Sequence, residues 1–173
     1  SSSNVYVGGI CGYLSGTIQN CQNNVNVYSS ETVSSSTYEA SKVNIGGIAG
    51  CSVGSINYCS NHGAISVSPH PIDYSELYGY VGGVVGYNDK GNLSNSENVG
   101  NVEVKDTVRK GTEKRSVYYL GGLSAYSTGK VVACNNSGSI ATSNPANSVT
   151  YSYRYLAGIS AYSNGEIDRC SNK

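Results

Sequence analysis

The chain repeats itself. A phrase made of an apolar residue, two glycines and a second apolar residue begins at Val7, Ile45, Val81 and Leu120, and returns as Leu-Ala-Gly-Ile at Leu156. The spacings are 38, 36, 39 and 36 residues, within the range that marks a solenoid or an array. Each copy runs on to a turn glycine: Gly16, Gly54, Gly91, Gly129 and Gly165, with one extra residue in the third copy within Asn88-Asp89-Lys90. Two residues later stands an aliphatic: Ile18, Ile56, Leu93, Val131 and Ile167. Three further on is a thiol or its oxygen analogue: Cys21, Cys59, Ser96, Cys134 and Cys170. Two beyond that is asparagine every time: Asn23, Asn61, Asn98, Asn136 and Asn172. Four copies continue to another aliphatic, at Val27, Ile65, Val102 and Ile140.

Single aliphatics separated by glycine, serine and asparagine cannot build an independent core. Stacked on copies of themselves, they form continuous apolar ladders. No stretch sustains the three-four apolar spacing of a helix, whereas short runs of Val, Ile, Thr and Tyr broken by Gly and Asn read as strands and tight turns. The expectation is an all-β solenoid, β-helix-like, of about five repeats, forming a single domain over residues 1–173. The asparagines are expected at a turn, where Asn tolerates the left-handed backbone region and its amide bonds to the copies above and below. The alternative is a solvated loop residue that recurs by ancestry alone. The connectors 29–44, 68–80, 105–119 and 143–155 do not repeat and read as loops extruded from one face. Several look like hairpins, as in 139–142, a turn at 144–147 and a strand at 149–155.

Eleven basic residues balance 11 acidic ones, which argues against nucleic acid or an anionic membrane as the main partner. No apolar run approaches the roughly 20 residues of a membrane span. The chain opens on Ser1 and holds no methionine, as expected of a piece of a longer precursor. Neither end of the array shows an obvious polar cap, so a slice of a longer array or head-to-tail pairing of the ends is expected.

Six cysteines invite a disulfide or metal reading. Yet Cys21, Cys59, Cys134 and Cys170 share one repeat position with Ser96. Cys11 aligns with Ala49, Val85, Ser124 and Ser160, and Cys51 stands where other copies have tyrosine. In-register neighbours about 4.8 Å apart make poor disulfide geometry, so buried free thiols are expected. There is no C-x-x-C, and His62 and His70 do not repeat with the cysteines, so no zinc site is expected.

The acidic residues fall at unrelated repeat positions: Asp168 aligns with Gln19, Asn57, Ser94 and Val132, and Glu166 with Thr17, Ser55, Asn92 and Lys130. These read as surface charges. An acid-base pair would need connectors to bring Asp73 or Glu76 near Glu113 or Asp106. The Gly8-Gly9 phrase lacks the strand-to-helix context of a phosphate loop and reads as a bend or close backbone approach. Residues 88–92 lack the acidic series of a calcium loop and read as a turn. Lys105, Arg109, Lys110, Lys114 and Arg115 outnumber Asp106 and Glu113 in the third connector, which suits a solvated charged loop or an acidic glycan. The sequons at Asn92 and Asn135 lie inside the repeated core and read as chance matches.

Tyrosine is the one residue the ladders do not demand. There are 16, with no Phe and no Trp. One set precedes the glycine phrase: Tyr6, Tyr80, Tyr119 and Tyr155, with Asn44 in the second copy. Another closes the next strand: Tyr13, Tyr87, Tyr126 and Tyr162, with Cys51 in the second copy. The second set reads as structural. In the first, Tyr80, Tyr119 and Tyr155, widened by Tyr78 and Tyr153, read as an outward stripe suited to sugar rings or a neighbouring subunit. The alternative is that connectors fold back over these rings.

The pattern Val-Gly-Gly-Ile-x-Gly-Tyr-x-x-Gly-x-Ile-x-x-Cys-x-Asn-x-Gly-x-Ile, read with small changes from Ile45 or Leu120, resembles the GLUG repeat. That family occurs in large secreted and surface proteins, including adhesins and bacterial immunoglobulin-A metallopeptidases. The departures are Val25 for the late glycine, Cys51 for tyrosine and Ala157 for the first glycine. The resemblance implies a β-solenoid in an extracellular or cell-surface setting and supplies no catalytic residue; no His-Glu-x-x-His occurs in this chain. The expected function is a non-enzymatic adhesion or spacer module without cofactor or metal, meeting glycans or host and cell-surface proteins. The alternatives are a self-assembling subunit of a surface filament or matrix, and a carbohydrate-active β-helix enzyme.

Overall fold

Each repeat folds as one coil, and five coils stack in register. The computed structural model describes residues 4–30, 32–33, 41–68, 70–71, 77–105, 115–143 and 151–173. The described residues contain strands and turns and no helix, hence none that is long and apolar enough to cross a membrane.

A coil visits five parallel sheets in turn, and Thr32–Val33 and His70–Pro71 of the first two coils pair as a sixth, two-stranded one. Sheet A holds Asn4–Gly8, Ser41–Gly46, Leu77–Gly82, Arg115–Gly121 and Tyr151–Ala157. After the glycine bend, sheet B takes Cys11–Leu14, Ala49–Ser52, Val85–Asn88, Ser124–Ser127 and Ser160–Ser163. Sheet C follows with Thr17–Gln19, Ser55–Asn57, Asn92–Ser94, Lys130–Val132 and Ile167–Asp168. Sheet D is two residues wide: Gln22–Asn23, Ser60–Asn61, Glu97–Asn98, Asn135–Asn136 and Ser171–Asn172. Sheet E has four strands, Val27–Ser29, Ile65–Val67, Val102–Lys105 and Ile140–Ser143. The register places Val7 on Ile45, Val81, Leu120 and Leu156, as the repeat phrase requires.

Sequence reading placed a hairpin across 139–155. Its two strands instead join different sheets, each pairing in parallel with the coil before it. Parallel stacking gives every strand a partner one coil away, so the chain has no need to turn back on itself. The turn at 144–147 lies outside the described residues.

Alternation along the strands sends one aliphatic set inward. Sheets A and E enclose a cluster around Ile45, Ile65, Val81, Val102 and Leu120. The bend and sheets B and C enclose another around Ile48, Ile56, Val85, Leu93, Leu123 and Val131. Each such buried aliphatic contributes about 1.5–3 kcal/mol by leaving water. Tyr118 also points inward, and its ring lies where a Cβ at Gly79 of the coil before would have to go. A large residue in one coil thus uses the space that glycine leaves in the next.

Between the two clusters runs a column of asparagine amides. Asn23 Nδ2 donates to Asn61 Oδ1 at 2.8 Å, Asn61 to Asn98 at 2.8 Å, Asn98 to Asn136 at 2.8 Å and Asn136 to Asn172 at 2.7 Å. The second hydrogen of each donor goes to the carbonyl two residues on: Val25, Gly63, Gly100 and Gly138 at 2.7–2.9 Å. Asn61, Asn98 and Asn136 are wholly buried, and Asn172 is exposed. The amides press on the second glycine of each phrase, so a Cβ at Gly47, Gly83 or Gly122 would collide with the asparagine side chain and with the carbonyl of the next coil.

The stacked amide is as expected; the backbone role is not. The left-handed residue of each coil lies three positions earlier, at Asn20, Tyr58, Asn95, Ala133 and Arg169, with φ of 48–54°. The thiol position follows it. Cys21, Cys59, Cys134 and Cys170 donate to the carbonyl two residues back at 3.2–3.3 Å, and Ser96 does so at 2.7 Å. A hydroxyl performs the same task as the thiol, which explains why Ser96 fits.

Two departures from the pattern differ in kind. A Cβ at Gly63, Gly100 or Gly138 would strike a carbonyl of the preceding coil, whereas among the described residues no coil lies against Val25 on that side, and it is 65% exposed. Nothing in the structure explains how the methyl of Ala157 is accommodated.

Asn61→Ala or Asn98→Ala is expected to cost about 1–3 kcal/mol, because the change strands buried partners on both sides. Asn172→Ala should cost clearly less. Urea unfolding of the three variants measures this, and equal, negligible losses would make the column ornamental.

Candidate functional site

The tyrosines gather at the outer corner between sheets A and B. Tyr80, Tyr119 and Tyr155 point away from the core-facing Val81, Leu120 and Leu156, as strand alternation requires. Their rings stack at 5.4 and 4.7 Å with interplanar angles of 11°. Tyr87, Tyr126 and Tyr162 form a second column, stacked at 4.9 and 4.3 Å. The columns meet edge to face: Tyr80 with Tyr87 at 5.3 Å and with Tyr126 at 5.6 Å, and Tyr119 with Tyr126 at 5.9 Å. This geometry sets positive ring edges against negative faces, worth about 0.5–1.5 kcal/mol per pair beyond buried area.

The division of the two sets into structural and exposed is therefore corrected. They make one spine. Tyr80 is buried at 7% exposure, Tyr119 is half-buried and Tyr155 is 46% exposed, so the first set opens progressively toward the fifth coil. Tyr87 and Tyr126 of the second set pack edge-on against Tyr80, and Tyr119 stacks on it. Tyr78 and Tyr153 extend the same face as expected, with Val117 between them in register; Tyr78 is half-buried and Tyr153 is 48% exposed.

The spine is broken in the second coil. Asn44 lies in register with Tyr6 and Tyr80, and Cys51 with Tyr13 and Tyr87. Tyr6 and Tyr13 still meet edge to face at 5.4 Å on the first coil. The two missing rings leave a pocket of about 230 Å³, with Lys42 and Asp89 at its edge. Sequence reading noted both replacements but not their coincidence in space. A second depression, about 430 Å³ and open, lies along the C–D corner by Tyr58, Asn95 and Ala133. Its differing side chains follow from the left-handed position, which the repeat leaves free.

Cys11, Cys21 and Cys170 are half-buried and Cys51, Cys59 and Cys134 buried; all six are free thiols. Burial, with Asp89 adding to it, pushes the Cys51 thiol up to about 11, and burial pushes Cys134 up to about 12. Neither supplies a thiolate at neutral pH. Burial also raises Tyr126 to about 12 and raises Tyr80 further.

Among the described residues, no three His, Cys, Asp or Glu side chains gather as metal ligands would. The charges pair locally at the surface: Lys130 with Glu166 at 2.9 Å, Arg169 with Asp168 at 2.9 Å and Lys105 with Glu103 at 3.3 Å. Exposed pairs of this kind add little stability. Asp73, Glu76, Asp106 and Glu113, the carboxylates considered for acid-base work, lie outside the described residues, as do Arg109, Lys110 and Lys114. Residues 88–92 form a turn in which Lys90, at φ 61°, absorbs the extra residue and donates its N–H to Thr128 Oγ1 at 2.9 Å.

The family model described as the GLUG motif matches residues 78–103, a stretch running through the third coil from sheet A into sheet E. The match supports assignment to the GLUG-repeat family. No curated protein and no solved structure matches the chain.

The raised pKa values fix a pH dependence. A thiol or phenol whose folded pKa exceeds its unfolded value stabilises the fold fully below the unfolded pKa, and that contribution fades as pH rises toward the folded one. For the thiols the window opens near 9.0 and reaches about 11–12; for Tyr126 it opens near 10.0. Urea midpoints should be level to about pH 9 and then fall, with Cys134→Ser flattening the first part of the decline. Without reductant, six thiols should titrate after unfolding, and Cys11, Cys21 and Cys170 should react first in the folded protein.

Proposed function

With the GLUG-repeat family as premise, we propose that this chain is a non-enzymatic adhesion or spacer module of a secreted or cell-surface protein, and that its tyrosine spine is the recognition face. The observation that carries this reading is the two-column aromatic spine, which widens into exposed rings at Tyr153, Tyr155 and Tyr162. Ordered tyrosines offer apolar area with a polar tip and lose little side-chain freedom on binding. A stack of coils holds them at fixed spacing, which suits a repeating partner such as a glycan or a host or cell-surface protein. The balanced charge of the chain fits a partner recognised by shape and stacking more than by long-range attraction.

A second reading is head-to-tail assembly into a filament. It is favoured by the outer coil, where Leu156 and Ile167 are 44% and 43% exposed while Leu120 and Val131 in the same ladders are 0% exposed. Parallel edges of this kind pair readily with further strands.

Replacing Tyr119 and Tyr155 together by Ser tests the recognition face. The expected result is loss of binding to immobilised glycans or to cells, with thermal stability lowered by only a few degrees. Lost stability, with no binding by the parent chain, would make the spine an edge of the core and end this reading. Sizing at several concentrations separates the second: a concentration-independent monomer rejects assembly.

A further inference from the structure

We propose that the break in the tyrosine spine at Asn44 and Cys51 is a binding slot for a single pyranose ring. The inference rests on reading the spine as a recognition face and assigns that face a defined subsite.

The slot follows from two substitutions at one place. In every coil but the second, the A–B corner carries a tyrosine in both columns. In the second, Asn44 and Cys51 stop short, and both are buried in the slot floor, where Asn44 Nδ2 donates to the Val5 carbonyl at 3.3 Å. The flanking rings stay in place. Tyr6 and Tyr13 form one wall and Tyr87 the other. The walls belong to coils two steps apart, about 9.6 Å, or twice the inter-strand spacing of about 4.8 Å. A ring entering between them meets tyrosine rings on either side.

Three features favour a sugar over a flat aromatic guest. A pyranose chair is thicker than a phenol and turns axial C–H bonds toward both walls, matching the negative faces of the tyrosine rings. The volume of about 230 Å³ holds one hexose with its hydroxyls, more than a phenol ring needs. The rim offers both polarities that hydroxyls require: Lys42 as donor and Asp89 as acceptor. Asp89 is held by Thr128, whose Oγ1 donates to Asp89 Oδ1 at 3.2 Å.

The test uses the whole chain with methyl glycosides of glucose, galactose and N-acetylglucosamine as probes, and p-cresol as the flat-ring control. Saturation-transfer NMR should show transfer from tyrosine ring protons to the ring protons of at least one glycoside. The double variant Asn44→Tyr/Cys51→Tyr, which refills the spine, should weaken that glycoside at least tenfold and leave the melting temperature unchanged or raised. Should it fail to fold, Lys42→Ala at the exposed rim should weaken binding severalfold with no change in melting. Three results overturn the proposal: no transfer to any glycoside, transfer that survives refilling, or p-cresol binding more tightly than every glycoside. If refilling changes nothing while Tyr119→Ser/Tyr155→Ser abolishes glycan binding, the slot is wrong and the wider recognition face stands.

Discussion

The buried asparagine column is the constraint from which the rest of the coil follows. An amide inside an apolar core is tolerated only when its donors and acceptor are used. Here one Nδ2 hydrogen goes to the next coil and the other to a carbonyl of its own coil, while Oδ1 receives the coil before. That arrangement fixes the rise between coils, because successive amides reach one another only at that spacing. It also brings the glycine bend against the amide, so the second glycine of each phrase cannot carry a side chain. The apolar clusters on either side supply the driving force, and the column sets the register at which they stack.

On the outside, the same register aligns the tyrosines. Strict stacking turns a side chain that recurs every 36–39 residues into a column of rings 4.3–5.4 Å apart. A surface of this sort is sensitive to single replacements, because a missing ring is not filled by a neighbour sliding into its place. Asn44 and Cys51 therefore leave a cavity with defined walls, whereas two polar residues on an irregular loop would leave only a less apolar patch.

Much of this was legible in the sequence, because identical positions in parallel coils must lie in contact. Alignment of the copies alone placed Val7 on Ile45, Cys11 on Ala49 and Asn61 on Asn98, and the strands pair in that register. What stayed hidden was whatever the repeat leaves variable. The left-handed turn carries Asn, Tyr, Asn, Ala and Arg in the five coils, because the backbone there is held by the hydroxyl or thiol that follows and the side chain can vary. As the invariant polar residue, the asparagine suggests that turn; its invariance comes from burial instead. The packing of one tyrosine column over the other was illegible for a different reason. It depends on the angle between sheets A and B, and nothing in a one-dimensional spacing reports that angle.

The amide column also has a direction. Each Nδ2 faces the following coil and each Oδ1 the preceding one, an orientation held by the carbonyl that receives the second hydrogen. The side-chain dipoles therefore add along the axis instead of cancelling, and successive bonds in such a chain polarise one another. Among the described residues, Asn23 Oδ1 accepts the Val25 N–H at 3.3 Å where no earlier amide reaches it, and Asn172 is the last acceptor. Two such columns can be joined end to end only with oxygen facing amide hydrogen, so the solenoid is electrically a vector and its two faces are not interchangeable.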